Sequence, residues 1–248
     1  KLIMLAAAAL LTFGMVSCDK DDDTTNNDNT TTTTGGGGTD PGTDPGTGTL
    51  MMEPGWVNLG LPSGLLWYSV NIGATSPEEY GNYYAWGETQ TKSYYDWSTY
   101  AYGSDSDQLT KYCNDSDYGL NGFTDNLTTL ESSDDVATQV LGNGARIPTD
   151  AEWEELLDNT TAEWTTVNGV YGRKYTATNG NSLFLPAAGR CSDEVYNAGS
   201  VGHYWSASLY EGGPSYAWHL YFGSGGHYVY RTHYRYYGFS VRAVRSQN

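Results

Sequence analysis

Four histidines are the residues of this chain best suited to chemistry, and they all fall in one stretch: His203, His219, His227 and His233. A neutral imidazole can hold a metal ion or move a proton near neutral pH. A metal site read from sequence needs ligands at a spacing that one element can present together. His227 and His233 are too far apart for one helical face, and no Asp or Glu follows Glu211. The sequence therefore gives no metal site and assigns the histidines to a solvent-facing recognition surface. An unperturbed pKa near 6.5 would make binding there pH-sensitive.

The other reactive residues yield no site. Asp115, Asp117 and Gly119 open like a calcium loop, but Asn126 stands at the twelfth position, where an EF-hand needs Glu, and the fifth position is Gly. Asp105 and Asp107 are a weaker pair. Calcium is left open, with no ligands assigned. Glu152, Glu154, Glu155 and Asp158 cluster on one helix, where Glu152 suits a capping role and the others suit the helix N-terminus. They form no catalytic dyad. No glycine-rich loop is followed by the Lys-Ser/Thr of a phosphate cradle. Cys113 and Cys191 could pair in an oxidising compartment, but their spacing does not show that they meet.

The histidines sit in a segment of unusual composition. Ten of the 22 tyrosines lie between Tyr196 and Tyr237, and from Gly212 onward there are four arginines (Arg231, Arg235, Arg242 and Arg245) and no acid. The whole chain of 248 residues carries a formal charge of −17. Tyr offers large amphipathic contact area at small entropic cost, Gly and Ser offer adaptable backbone, and Arg offers anchors. The segment reads either as a recognition surface or as an aromatic-rich sheet edge, because Tyr also favours strands. Stacking rings and basic residues superficially suit single-stranded nucleic acid. Strong overall acidity argues against that partner.

The N-terminal part has a different organisation. Lys1 followed by the apolar run Leu2 to Phe13 has the length of a signal-peptide core and is short of the roughly 20 residues that span a bilayer. Met15-Val16-Ser17-Cys18 resembles a bacterial lipobox, which would make Cys18 a lipidated residue and the membrane a partner through that anchor. Asp19-Lys20-Asp21-Asp22-Asp23 is similar to the acidic export signal of Bacteroidetes surface lipoproteins. Thr24 to Thr49 is rich in Thr, Asn, Gly and repeated Thr-Asp-Pro-Gly, has no apolar residue to bury, and reads as a tether. The expected organisation is a signal peptide and lipobox over residues 1–18, a tether over 19–51 and one globular domain over 52–248.

Within that domain Pro148, the N-cap Thr149 and Glu152 three residues later predict a helix over Thr149 to Asn159, with Trp153, Leu156 and Leu157 inward. A shorter helix is expected at Ser133 to Leu141, with Val136, Val140 and Leu141 inward. Asn168-Gly169 predicts a hairpin turn joining Trp164 to Val167 with Gly172 to Thr178, and Ser182 to Pro186 can add a strand. Further strands are expected at Leu65 to Asn71, Tyr83 to Gly87, Tyr204 to Ser208, Ala217 to Phe222, His227 to Tyr230 and Ser240 to Val244. In Ala217 to Phe222 the alternation puts Trp218, Leu220 and Phe222 inward and His219 and Tyr221 outward. Two helices with many short strands and long loops predict an α+β domain.

Two blocks of sequence carry a family resemblance. Arg146-Ile-Pro-Thr-Asp-Ala-Glu-Trp-Glu is similar to the signature of the formylglycine-generating-enzyme branch of the C-type lectin-like fold. The longer block runs through Val57-Asn-Leu-Gly-Leu-Pro-Ser-Gly-Leu-Leu-Trp67, Asn71-Ile-Gly-Ala-Thr-Ser-Pro-Glu-Glu-Tyr-Gly81, Tyr84-Ala-Trp-Gly-Glu-Thr89, Phe184-Leu-Pro-Ala-Ala-Gly189, Tyr204-Trp-Ser-Ala-Ser208 and Ser240-Val-Arg-Ala-Val-Arg245. It resembles the Fibrobacter succinogenes major paralogous domain of Bacteroidetes lipoproteins. The resemblance implies a C-type lectin-like domain on the outer membrane, exposed at the cell surface. The enzymes of this fold use C-terminal cysteines for copper-dependent oxidation, and the C-terminal region here has none, so that activity is not expected.

Some members of the group resemble the variable proteins of diversity-generating retroelements, whose altered codons yield Tyr, His, Gly, Arg, Thr, Ser and Asp. By that resemblance the binding face spans about residues 203–237. Its candidate ligand contacts are His219, Tyr221, His227, Tyr228, Tyr230, Arg231, His233, Tyr234, Tyr236 and Tyr237. The expected function is recognition of an extracellular protein, glycan or phage ligand, without catalysis, cofactor or nucleic acid. The alternative is a fixed glycan-binding or structural envelope lipoprotein.

Overall fold

The longer helix begins where local chemistry starts it. The Thr149 hydroxyl accepts from the Glu152 amide at 3.3 Å, and the Glu152 carboxylate accepts from the Thr149 amide at 2.8 Å. This capping box satisfies two backbone donors that the first turn leaves free. Arg146 adds a two-point ion pair to the same carboxylate, at 2.7 and 2.6 Å. Helix α2 then runs over Asp150–Asp158 and buries Trp153 and Leu156. Thr149→Ala is expected to lower stability by about 1 kcal/mol, read by urea denaturation. A loss under ~0.3 kcal/mol would show that the Arg146–Glu152 pair holds the helix start unaided.

In the computed structural model, residues 54–230 and 233–247 are described. Cys18, the expected tether and Arg231 lie outside them. The described residues form small antiparallel sheets with few helices, a sheet-rich α+β arrangement. One sheet joins β1 (Trp56–Asn58), β2 (Leu66–Tyr68) and β11 (Val244–Arg245). A second joins β3 (Thr160–Val167), β4 (Val170–Ala177) and β5 (Ser182–Pro186). Its hairpin turns at Asn168 and Gly169, with φ of 49° and 82°, the left-handed pair that a two-residue turn of this type requires. A short ribbon pairs β6 (Arg190–Cys191) with β7 (Val195–Tyr196). The third three-stranded sheet, in the order β10-β9-β8, is built from β8 (Val201–Leu209), β9 (Ala217–Gly223) and β10 (Gly226–Tyr230).

Apolar residues collect on both sides of β8. Tyr204 joins a core with Trp67, Trp153, Tyr175, Leu185 and Phe222, while Trp205 joins another with Trp86, Tyr112, Ile147, Phe239 and Val241. One indole donor ties the two cores together and a second braces the Trp205 core. Trp153 donates to the Trp205 carbonyl at 3.2 Å, and Trp205 donates to the Tyr84 carbonyl at 2.8 Å.

Several expectations change. Residues 83–87 form no strand; Tyr84 makes a single bridge with Phe239, because the Arg235 carbonyl takes the Trp86 amide. Of 240–244 only Val244 lies in a strand, while Ser240 bridges Tyr204. Helix α1 (Val136–Leu141) is six residues long and buries Val136 and Ala137, leaving Val140 exposed. So short a helix takes its inward face from where its first turn docks rather than from periodicity. Arg235 and Arg242 are fully buried instead of offering anchors at the surface.

Candidate functional site

The sheet β10-β9-β8 sets the geometry. In the pairing of β9 with β8, His203 lies opposite Tyr221 and Trp205 opposite His219. In the pairing of β9 with β10, Tyr221 lies opposite Tyr228 and His219 opposite Tyr230. Two rows therefore cross one face: His203–Tyr221–Tyr228 and Trp205–His219–Tyr230. Side chains alternate along a strand, so Leu220, Phe222 and Val229 point to the other face, where they pack with Trp153 and Tyr204.

Burial along each row is graded. At the β8 end His203 is buried and Trp205 fully so; at the β10 edge Tyr228 and Tyr230 are 58% and 47% exposed. The chain beyond β10 makes the gradient, because Phe239 packs against Trp205 with ring centres 4.1 Å apart and against His203 at 4.8 Å. His219 is consequently fully buried, with Phe239 at 5.1 Å and Trp205 at 5.9 Å. The expectation that His219 faces solvent is corrected. Strand β9 is central and covered on both sides, so its apolar–polar alternation separates two interiors rather than inside from outside.

Tyr221, Tyr228, Tyr230 and His233 line a cavity of about 470 Å³ at the open side of this face. A second depression of about 450 Å³, between Leu61 and Thr178, is lined by threonines, Asn159 and Asp158 and contains no aromatic ring.

The remaining expected contacts scatter. His227 points to the opposite face of β10 and stacks on Tyr175 with centres 5.6 Å apart. Tyr234 stacks on Tyr216 at 4.7 Å and, with Tyr236, packs edge-on to Trp97 at 5.5 and 5.2 Å. Tyr237 lies under the Arg190 guanidinium at 4.7 Å and stacks with Phe239 at 6.3 Å. These are half-buried packing residues. Of the ten expected contacts, Tyr221, Tyr228, Tyr230 and His233 share one opening.

Sequence reasoning missed His203 as a site member and missed the grouping it makes. One ring nitrogen from each of His203, His219 and His233 lies within 4.8 Å of the others. Burial pushes the three imidazoles down to about 2, 3 and 4 respectively, and the neighbouring rings and Arg190 further disfavour a charge on His203. Burial favours the neutral form of all three, so they are not the ordinary histidines that the sequence suggests. His203 and His219 lie at diagonal positions across the β8–β9 pair. That register was the signal that could have found them, but it depends on the irregular turn between the strands.

The acidic loop is used structurally. Asp125 accepts from the amides of Tyr112, Cys113 and Leu127, and Asp115 from that of Asp117. Cys113 and Cys191 are both free.

A family model described as a domain of unknown function (DUF8237) matches residues 164–244, a span that includes both rows and the histidine group. No curated protein and no solved structure matches the chain.

Proposed function

We propose that this chain is a ligand-binding protein whose contact surface is the aromatic opening formed by Tyr221, Tyr228, Tyr230 and His233. The observation that carries the reading is the graded face: exposed tyrosines at a sheet edge border a cavity of about 470 Å³, and the inner ends of the same rows are buried. Rigid rings of this kind bring contact area at low entropic cost, and central aromatic residues dominate binding energy at interfaces. The finer reading follows the sequence resemblance: a C-type lectin-like domain on a lipid-anchored, surface-exposed outer-membrane protein, recognising an extracellular protein, glycan or phage component, without catalysis. Among the described residues no helix is long and apolar enough to cross a membrane. The lipid anchor rests on Cys18 and its neighbours alone. Diversification would act on the exposed rim, with Leu220, Phe222 and Arg235 as scaffold.

The test is binding of the purified full chain to arrays of glycans and extracellular proteins, repeated with a Tyr228→Ser, Tyr230→Ser double variant. A bound ligand is expected to be held roughly 10–100-fold more weakly by the double variant. Tyr171→Ser, at an exposed ring on the β3–β4 hairpin, is expected to change nothing. Unchanged affinity in the double variant, or a loss in Tyr171→Ser alone, would move the contact surface elsewhere.

A further inference from the structure

The buried histidine group leaves polar atoms without partners. His203 Nδ1, both ring nitrogens of His219, and His233 Nδ1 are buried and make no hydrogen bond. The Ala217 carbonyl is close enough to favour a proton on His219 but meets neither nitrogen in hydrogen-bond geometry. Buried polar side chains nearly always have a partner, and an orphan usually marks a water, an ion or a functional role. Three orphaned imidazoles side by side point to one shared partner.

We infer that His203, His219 and His233 form a three-histidine site for a divalent transition-metal ion of the zinc class. The three donors come from three parts of the chain: β8, β9 and the segment after β10. The sheet register fixes the first two. The ring centres are 5.5 Å apart for His203 and His219, 4.8 Å for His203 and His233, and 5.2 Å for His219 and His233. Tetrahedral zinc with bonds of about 2.0–2.1 Å needs nitrogens about 3.3 Å apart. Ligand atoms already within 4.8 Å reach that spacing by small ring rotations.

The donor set selects the ion. Imidazole suits zinc, copper, nickel and cobalt, whereas calcium and magnesium take oxygen ligands. The rings are neutral and need lose no proton to bind. Among the described residues the charged group acting on them is Arg190, which opposes a second cation but is itself engaged over the Tyr196 and Tyr237 rings at 5.4 and 4.7 Å. His233 belongs both to this group and to the cavity lining. The group thus adjoins the cavity through His233, and water or a donor group of a ligand there can complete a set of four. The inference stands whether or not the tyrosine rim binds a ligand.

The test is calorimetric titration of the chelator-stripped full chain with zinc, and with cobalt followed by its visible absorption. One equivalent is expected to bind, with tetrahedral-type cobalt absorption, and excess calcium or magnesium should not compete. His219→Phe preserves volume and apolar packing, and His233→Gln alters only the half-buried edge. Each is expected to bind at least about 100-fold more weakly, since even a residue that merely orients a metal ligand is worth roughly 10–100-fold. His227→Gln should bind as the parent does. Absence of stoichiometric binding overturns the inference. So does binding that survives both His219→Phe and His233→Gln, because the ion would then sit elsewhere, at the acidic residues or the free cysteines. If His219→Phe does not fold, His233→Gln alone decides.

Discussion

Arg242→Met is expected to lower the stability of the domain by roughly 3–5 kcal/mol, the cost of leaving buried acceptors without their donor. Arg242 is fully buried near the C-terminus, and burial pulls its pKa down to about 10, so it stays charged at neutral pH. Its fork donates to the Asn71 side chain at 3.1 and 2.7 Å, to the Tyr68 carbonyl at 3.0 Å and to the Phe184 carbonyl at 3.1 Å. The guanidinium thus ties three segments, one from β2, one from β5 and the loop at Asn71. Methionine fills much of the volume but leaves these acceptors without donors, at about 1–3 kcal/mol for each that water cannot reach. Arg242→Lys keeps the charge and loses the planar fork, so an intermediate loss is expected. Denaturant unfolding followed by tryptophan fluorescence measures both. A cost below ~1 kcal/mol for Arg242→Met would mean that water or a shifted amide satisfies the acceptors.

The second large effect is acid lability set by the histidines. His203 and His219 titrate near 6.5 in the unfolded chain and are held at about 2 and 3 in the fold, chiefly by burial. A depressed folded pKa gives stability that is complete above the unfolded value and is lost as pH falls toward the folded one, because only the unfolded chain takes up the proton in that window. Each group contributes a slope of up to about 1.4 kcal/mol per pH unit, so the two together remove up to about 4 kcal/mol between pH 6.5 and 5. His233, at about 4 and half-buried, adds a smaller share. Among the described residues Arg190 is the charged group that acts on His203 and His233, and it works in the same direction. Asp134 and Glu152, whose partners Lys111 and Arg146 hold them below the usual carboxylate range, matter only at lower pH. Asp135, raised by burial, opposes the trend. Unfolding in the presence of chelator is expected to show a steep fall between pH 6.5 and 5, flattened in His219→Phe. A parent curve that is flat over this range would show that the histidines are hydrated or protonated in the fold.

Legibility followed the range of the interactions. The Asn168-Gly169 turn and the Thr149–Glu152 capping box act within four residues, and both occur where the sequence puts them. Strand β5 spans the expected residues Ser182–Pro186 because its apolar run pairs with the neighbouring hairpin. The histidines were misread because the cover over β9 comes from Phe239 and His233, whose packing no local pattern records. Arg242 was misread for a related reason: its partner Asn71 lies 171 residues away. A basic, aromatic composition thus describes two populations, a rim that meets solvent and a core that carries the rim.

That division is the central claim, and sequencing the 3′ end of the gene across many cells and related isolates tests it most directly. The account expects substitutions at the codons for Tyr221, Tyr228 and Tyr230, with His203, His219, Arg235 and Arg242 unchanged. Changes spread equally over buried and exposed codons would contradict it, and uniform codons throughout would contradict diversification and leave a fixed receptor.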